Sequence, residues 1–249
     1  MKSTGNTILI TGGTSGIGLG LAEHFYRSDN KVIVAGRRVD LLDRITAENP
    51  GMESLVLDVA DPDSISRAEA TVRTDYPDVN VLINNAGIMM RENILDTGDL
   101  KVAENLIDTN LLGTIRMSYA FLPLLKDRDD ATLVNVTSSL AFVPYPVTPT
   151  YNATKAALHS FTESLRVQLA NAGSALKVVE LIPPGVRTTL LGQQDDDQAM
   201  PLDEFLTEIM DLLRNDPDAD ELVVERARFL RNAVADGTYD QVLGMMSNR

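Results

Sequence analysis

TILITGGTSGIGLGLAEHFYRS, residues 7–28, is the stretch on which the fold turns. Thr7–Ile10 is a short apolar, β-branched run of the kind a buried parallel strand needs. Gly12, Gly16 and Gly18 follow, and Leu19, Leu21, Ala22, Phe25 and Tyr26 then recur at helical spacing. Strand, glycine turn and helix in this order allow backbone N–H groups at a helix N-terminus to receive a pyrophosphate. The glycines let main chain come close to phosphates and let the helix pack close to the strand. The spacing is G-x-x-x-G-x-G rather than G-x-G-x-x-G, so the loop by itself is a weak signal. Its place at the head of a βαβ unit is what points to a dinucleotide.

Working outward, Lys31–Ala35 forms a second strand that ends in Gly36-Arg37-Arg38. An acidic residue at this point would bind the ribose of NAD; two arginines pair instead with a 2′-phosphate, so Arg37 and Arg38 point to NADP(H). A third strand, Leu55–Leu57, ends at Asp58-Val59, and a helix follows from about Asp61, capped by Asp61 or Asp63. Val79–Ile83 is a fourth strand that runs into Asn84-Asn85-Ala86-Gly87. This alternation predicts an α/β fold, a doubly wound parallel sheet with helices on both faces and its strand-end turns along one rim. Asp99–Lys126 reads as a long helical stretch broken near Gly113 and Pro123, more apolar than one core-facing stripe requires, with Asn110 inside it. Asn152–Ala170 is helical and Lys177–Ile182 a strand. Beyond Leu190 the alternation fades into a mobile Gln193–Ala199, a helix over Leu202–Leu213, a last strand over Glu221–Glu225 and a helix over Ala227–Ala235. No internal repeat or second domain is evident, so residues 1–249 read as a single domain, with 190–249 as its substrate-loop and C-terminal region.

The chemistry concentrates in NVTSSLAFVPYPVTPTYNATK, residues 135–155. Leu133–Thr137 reads as a strand end, Ser138 follows it, and a loop through Pro144, Pro146 and Pro149 leads to a helix opening near Tyr151. Tyr151 and Lys155 are four apart and share a helix face. A free tyrosine, with a pKa of ~10, exchanges protons poorly at neutral pH, and a nearby ammonium favours the phenolate. A serine hydroxyl can hold a carbonyl oxygen without adding charge. A bare YxxxK is common, and in isolation describes a core tyrosine with a solvated lysine.

Composition narrows the classes. The chain has no cysteine, which excludes disulfides and thiolate chemistry, and His24 and His159 read as packing or solvent-facing residues. No run of eighteen apolar residues or signal segment stands out, and a net charge of −14 argues against nucleic-acid and anionic-membrane partners. Asp195–Asp197 and the Asp216–Glu221 region read as solvated loops or a helix start rather than metal sites. The expectation is a cytoplasmic protein without a metal.

Taken in order, TGGTSGIG, Asp58, NNAG, Asn110, Ser138, Tyr151-x-x-x-Lys155 and the proline motif before Thr188 resemble the short-chain dehydrogenase/reductase family, over roughly residues 5–190. The match is to its branch of about 250 residues with the TGxxxGxG loop. The NVTSSLAFVP and LIPPGV segments look like a subgroup often labelled DltE-like, which does not establish a substrate. The resemblance implies a Rossmann-type fold and assigns roles. Tyr151 would be the acid/base, Lys155 would lower its pKa and hold the nicotinamide ribose, and Ser138 would orient the substrate oxygen. Asn110 would hold a water linking Lys155 to solvent. Gly12, Thr14, Ser15, Gly16, Ile17 and Gly18 would form the phosphate loop. Asp58 and Val59 would lie by the adenine, Asn85 by the ribose, and Val186 and Thr188 by the carboxamide, with Ala86 and Gly87 as further cofactor-binding residues. The sequence departs from the family at Pro183-Pro184, where Pro-Gly is usual, so the backbone contact at Val186 is in question.

The resulting expectation is an NADP(H)-dependent oxidoreductase acting on a small-molecule carbonyl or secondary alcohol, assembled as a homodimer or homotetramer. Met89, Met90, Leu140, Phe142, Tyr145 and Leu190 are candidates for an apolar substrate pocket or for core, with 190–215 as a lid. A rival of a different class is a catalytically silent NADP(H)-sensing regulator, against which the full Asn110, Ser138, Tyr151 and Lys155 set argues. A sugar-nucleotide epimerase fits less well, since its glycine spacing and longer C-terminal domain are missing.

Overall fold

The computed structural model describes residues 1–247, Thr97 by its backbone only. Seven strands form one sheet: β1 (Thr7–Thr11), β2 (Lys31–Gly36), β3 (Glu53–Val56), β4 (Val81–Asn84), β5 (Thr132–Val136), β6 (Lys177–Ile182) and β7 (Glu221–Val223). Their order is β3-β2-β1-β4-β5-β6-β7, with every pair parallel. At the centre Leu9 is in register with Ile33 on one side and Leu82 on the other. The winding reverses between β1 and β4, which opens a crevice at the carboxyl ends of those strands.

The two-residue period of each strand sends alternate side chains to opposite faces. Ile8, Ile10, Val32, Val34, Val81 and Ile83 pack on one face with Phe25 of α1 (Gly16–Arg27), Leu42 of α2 (Val39–Glu48) and Phe205 of α7 (Leu202–Asn215). Leu9, Ile33, Leu82 and Leu133 pack on the other with Val72 of α3 (Pro62–Asp75), Phe121 of α5 (Gly113–Leu125) and Leu169 of α6 (Pro149–Asn171). Because both faces are covered, the central strands are apolar throughout. The doubly wound α/β sheet expected from the sequence is the fold observed.

Several local expectations change. The Asp99–Lys126 stretch is not broken at Gly113. After α4 (Leu100–Leu106) it widens into a π turn over Ile107–Leu112, then continues as α5 with helical backbone angles at Gly113. Pro123 sits inside α5, where the Tyr119 carbonyl that loses its donor belongs to a solvent-facing residue, 74% exposed. α6 opens at Pro149, two residues before Tyr151, because proline suits the first helical position. The last strand is shorter than expected, α8 (Glu225–Arg231) begins directly after it, and a final helix, α9 (Tyr239–Ser247), was not foreseen. Gln193–Ala199, expected to be mobile, is tethered by Arg187, which donates to the carbonyls of Asp196, Asp197 and Ala199.

α1 lies close against the loop that precedes it. A Cβ placed on Gly18 would stand 2.3 Å from the Gly12 carbonyl oxygen and 2.4 Å from Asn85 Nδ2. Gly18→Ala must therefore move α1 off the β1 turn, and we expect a loss of about 1–3 kcal/mol. A thermal-unfolding midpoint lower by several degrees checks this; an unchanged midpoint contradicts it.

Candidate active site

Two connected clefts run along the carboxyl rim of the sheet. The first, of about 470 Å³, lies over the β1 turn and is lined by Gly12, Thr14, Ser15, Gly16, Ile17 and Gly18. Arg37, Arg38, Asp58 and Val59 close its outer end, and Asn85, Ala86 and Gly87 its inner end. Gly12 has φ +65°, and a Cβ there would lie 2.8 Å from Ala86 Cα, so the turn and the β4 end touch through bare backbone. Asn85 fastens that contact: its Nδ2 donates to the carbonyls of Thr11 (3.0 Å) and Gly12 (3.2 Å), and its N–H donates to Thr11 Oγ1 (3.0 Å). Arg38 lies across the loop, donating to Thr14 Oγ1 at 2.8 Å and Ser15 Oγ at 3.0 Å. Arg37 is exposed, 3.8 Å from the Asp58 carboxylate.

The second cleft, of about 900 Å³, shares Ile17, Asn85, Gly87 and Thr188 with the first. Ser138, Tyr151 and Lys155 line it together. Ser138 stands just past β5, where its Oγ accepts from the Leu140 N–H at 3.1 Å, leaving the hydroxyl proton available. Tyr151 and Lys155 lie on the first turns of α6 and are almost fully buried. Lys155 Nζ donates to the Val136 carbonyl at 2.7 Å and lies 5.7 Å from the Tyr151 ring centre.

The electrostatics differ from the sequence expectation. Burial pushes the Tyr151 phenol up to about 12, with the neighbouring Ser138 hydroxyl pulling the other way. Burial brings Lys155 down to about 8, opposed by the Glu180 carboxylate. Burial dominates at both groups: the Lys155 ammonium is held by the Val136 carbonyl, and the hydration that the phenol and the ammonium lose outweighs what their neighbours restore.

Asn110 lines neither cleft. It is fully buried in the π turn, where its Oδ1 accepts from the Ile88 N–H and its Nδ2 donates to the Ile88 carbonyl, both at 2.8 Å. Its Nδ2 also donates to Thr154 Oγ1 of α6 at 3.5 Å, so the side chain ties the segment after β4 to the turn of α6 that carries Lys155. Val186 lines the second cleft. Arg187 N–H donates to the Met200 carbonyl and Met200 N–H to the Gly185 carbonyl, each at 2.8 Å, which turns Val186's own peptide groups away from Met200. The Pro183-Pro184 turn contains no cis peptide, and the Pro183 carbonyl accepts from Ser139 N–H at 2.9 Å.

Of the apolar pocket candidates, Leu140 and Tyr145 line the second cleft, Met90 the first, and Met89 and Leu190 both. Phe142 lines neither; it packs edge-on to His159 at 4.8 Å, with the Arg231 guanidinium 4.5 Å over its ring. Sequence reasoning missed Arg226, Phe229 and Leu230 of α8 and Met246 of α9, which form the outer wall. Their only signal was amphipathic spacing near the C-terminus, which does not say what the face covers.

Comparison with known proteins agrees with this geometry. The pattern of the short chain dehydrogenase family matches residues 6–199. The chain is 36% identical to the uncharacterized oxidoreductase DltE of Bacillus subtilis, over all of this chain and 99% of that one. It superposes on the closed form of a serine dehydrogenase complexed with NADP+ with a TM-score of 0.73 and 27% identity, covering 81% of this chain and 86% of that one. A short chain dehydrogenase from Burkholderia cenocepacia, solved in complex with NADP, gives a TM-score of 0.82 over 99% of both chains at 24% identity, a likeness of fold. No helix among the described residues is long and apolar enough to cross a membrane. A glycine turn locked to the end of β4, and a tyrosine and lysine beside a strand-end serine, are thus the parts of an oxidoreductase, and the chain belongs to the short chain dehydrogenase family.

Proposed function

We propose that the protein is an NADP(H)-dependent oxidoreductase that interconverts a small carbonyl compound and its secondary alcohol. The observation that carries this reading is the meeting of Ser138, Tyr151 and Lys155 on a cleft continuous with the glycine turn and Arg37-Arg38. The cofactor fits the first cleft: its floor is the glycine turn from Gly12 to Gly18 ahead of α1, and Arg37 and Arg38 line its outer end, where they would pair with a 2′-phosphate. Thr14, Ser15, Gly16, Ile17 and Gly18 would hold the phosphates, Asp58 and Val59 the adenine, Asn85, Ala86 and Gly87 the ribose, and Val186 and Thr188 the carboxamide. Bound there, NADP(H) supplies the hydride chemistry.

The chain's own residues supply orientation and the proton. Ser138 Oγ donates a hydrogen bond to the substrate oxygen. In the reducing direction Tyr151 gives that oxygen its phenolic proton, and in the oxidising direction takes it back. Burial raises the Tyr151 phenol above its usual value, so giving up its proton depends on the groups that stabilise the phenolate. The Lys155 ammonium stabilises the phenolate left after transfer and holds the nicotinamide ribose. Asn110 holds the Ile88 peptide, and so the cleft wall, in place. Arg226, with no ion-pair partner among the described residues, stands on the outer wall beside Phe229 and Met246. This combination suits a substrate with an apolar body and an anionic end. The exposed Leu100, Ile107, Leu112, Tyr119 and Val167 on α4, the π turn, α5 and α6 fit assembly as a homodimer or homotetramer.

Loss of NADPH absorbance with a panel of aldehydes, ketones and oxo acids tests the reading. Tyr151→Phe should lower turnover by about 10²–10⁴-fold while NADPH still binds; equal rates in the two proteins would remove Tyr151 from the mechanism. Replacing Arg37 and Arg38 together by alanine should weaken NADPH binding by about tenfold or more and leave NADH nearly unchanged. Calorimetry reads this, and equal losses for both coenzymes would contradict the 2′-phosphate assignment. Lys155 must be charged, so kcat/KM for NADPH should fall about tenfold per unit as pH rises above about 8. A flat profile through that region would mean that the ammonium is not required.

A further inference from the structure

Glu180 sits fully buried in β6, between the core residues Val179 and Leu181. An alkyl side chain would fill that place, and a buried carboxylate is costly unless both oxygens are paired. Both are. Thr137 Oγ1 donates to Oε1 at 2.6 Å, and His159 Nδ1 lies 2.8 Å from Oε2. With both oxygens used as acceptors, the group has the arrangement of an anion. Its two holders flank the active residues: Thr137 immediately precedes Ser138, and His159 is one turn beyond Lys155 on α6. The register places Leu181 opposite Val136, the residue whose carbonyl takes Lys155 Nζ, so Glu180 is one position along from that anchor.

The surroundings leave this charge directed at few groups. His159 Nε2 is 3.6 Å from Glu163 on the exposed side of α6. Arg231 of α8 is bound to Glu221 of β7 at 2.9 and 2.7 Å while covering Phe142. His159, Glu180 and Glu221 lie close enough together to hold a cation, but Arg231 already occupies Glu221. Glu180 works against the effect of burial on Lys155, and its hydrogen bond raises the His159 pKa above the usual imidazole value.

We propose that Glu180, held by Thr137 and His159, is a positioning residue whose buried negative charge keeps Lys155 in its ammonium form. While His159 is protonated the pair is neutral; once His159 loses its proton the carboxylate is uncompensated. The attraction on Lys155 thus grows as pH rises toward the range where the lysine would discharge. The proposal rests on the reading of Lys155 as a working residue of the site, but its test does not require turnover.

Protein labelled with ¹³C at lysine Cε, with Lys155 assigned by its absence in Lys155→Met, is titrated by NMR from neutral to alkaline pH. Glu180→Gln keeps the shape and removes the charge, with its Oε1 accepting from Thr137 and its Nε2 donating to Nδ1 of the Nε2–H tautomer of His159, and should lower the Lys155 midpoint by about one pH unit or more. His159→Gln still donates to Glu180 and carries no charge, so Lys155 should stay where it is or move up. No shift in folded Glu180→Gln, or a fall in both variants, overturns the proposal, the latter because loss of packing alone would then explain it. If Glu180→Gln does not fold, Glu180→Met, which fills the same space without charge, decides: a lowered Lys155 midpoint supports the charge, and an unmoved one contradicts it. Since the signal reports ionisation without substrate, it can fail while Tyr151→Phe still abolishes turnover, and the reverse.

Discussion

A lysine ammonium almost removed from water needs other groups to replace its hydration, and the rim of this sheet is arranged to provide them. Lys155 reaches the Val136 carbonyl at 2.7 Å because β5 ends there and α6 begins where it does. That hydrogen bond fixes the first turns of α6 against β5 and so sets where Tyr151 stands relative to Ser138. The same rim carries the carboxyl ends of β1 and β4, where Asn85 ties the glycine turn to the neighbouring strand. Parallel pairing is what brings these ends together. An antiparallel neighbour would have carried half of them to the far side of the sheet.

Burial sets the balance of charges. It raises the phenol and lowers the ammonium, so proximity of Tyr151 and Lys155 alone does not make an activated pair. What counters burial comes from neighbouring elements: the Ser138 hydroxyl on the tyrosine and the Glu180 carboxylate on the lysine. The site is therefore a property of β5, β6 and α6 packed together, and a YxxxK on an isolated helix would not reproduce it.

Most of the frame was legible in the sequence because it depends on local chemistry. TILI followed by glycines and an apolar helix can hardly fold otherwise than as strand, turn and helix, and Ser138, Tyr151 and Lys155 of the later run meet on one cleft. Legibility ended where long-range packing decides. Gly113 and Pro123 looked like breaks, but the backbone runs helically from a π turn through Gly113, and Pro123 follows the exposed Tyr119 by one turn. Phe142 was apolar and near the right loop, yet His159 and Arg231 hold it away from the cleft. Glu180 carried a signal that was passed over: a carboxylate inside KVVELI has no place in a strand buried on both faces unless something pairs with it.

Following the label from deuterated NADPH, carrying deuterium at the transferable position of the nicotinamide, into a reduced carbonyl substrate tests the central claim most directly. The account predicts one deuterium on the carbinol carbon of the alcohol formed by the wild-type protein, and alcohol formed about 10²–10⁴-fold more slowly by Tyr151→Phe. Coenzyme that binds but keeps its label across a broad panel of carbonyls would contradict it, and would leave a nucleotide-binding protein without the hydride transfer argued for here.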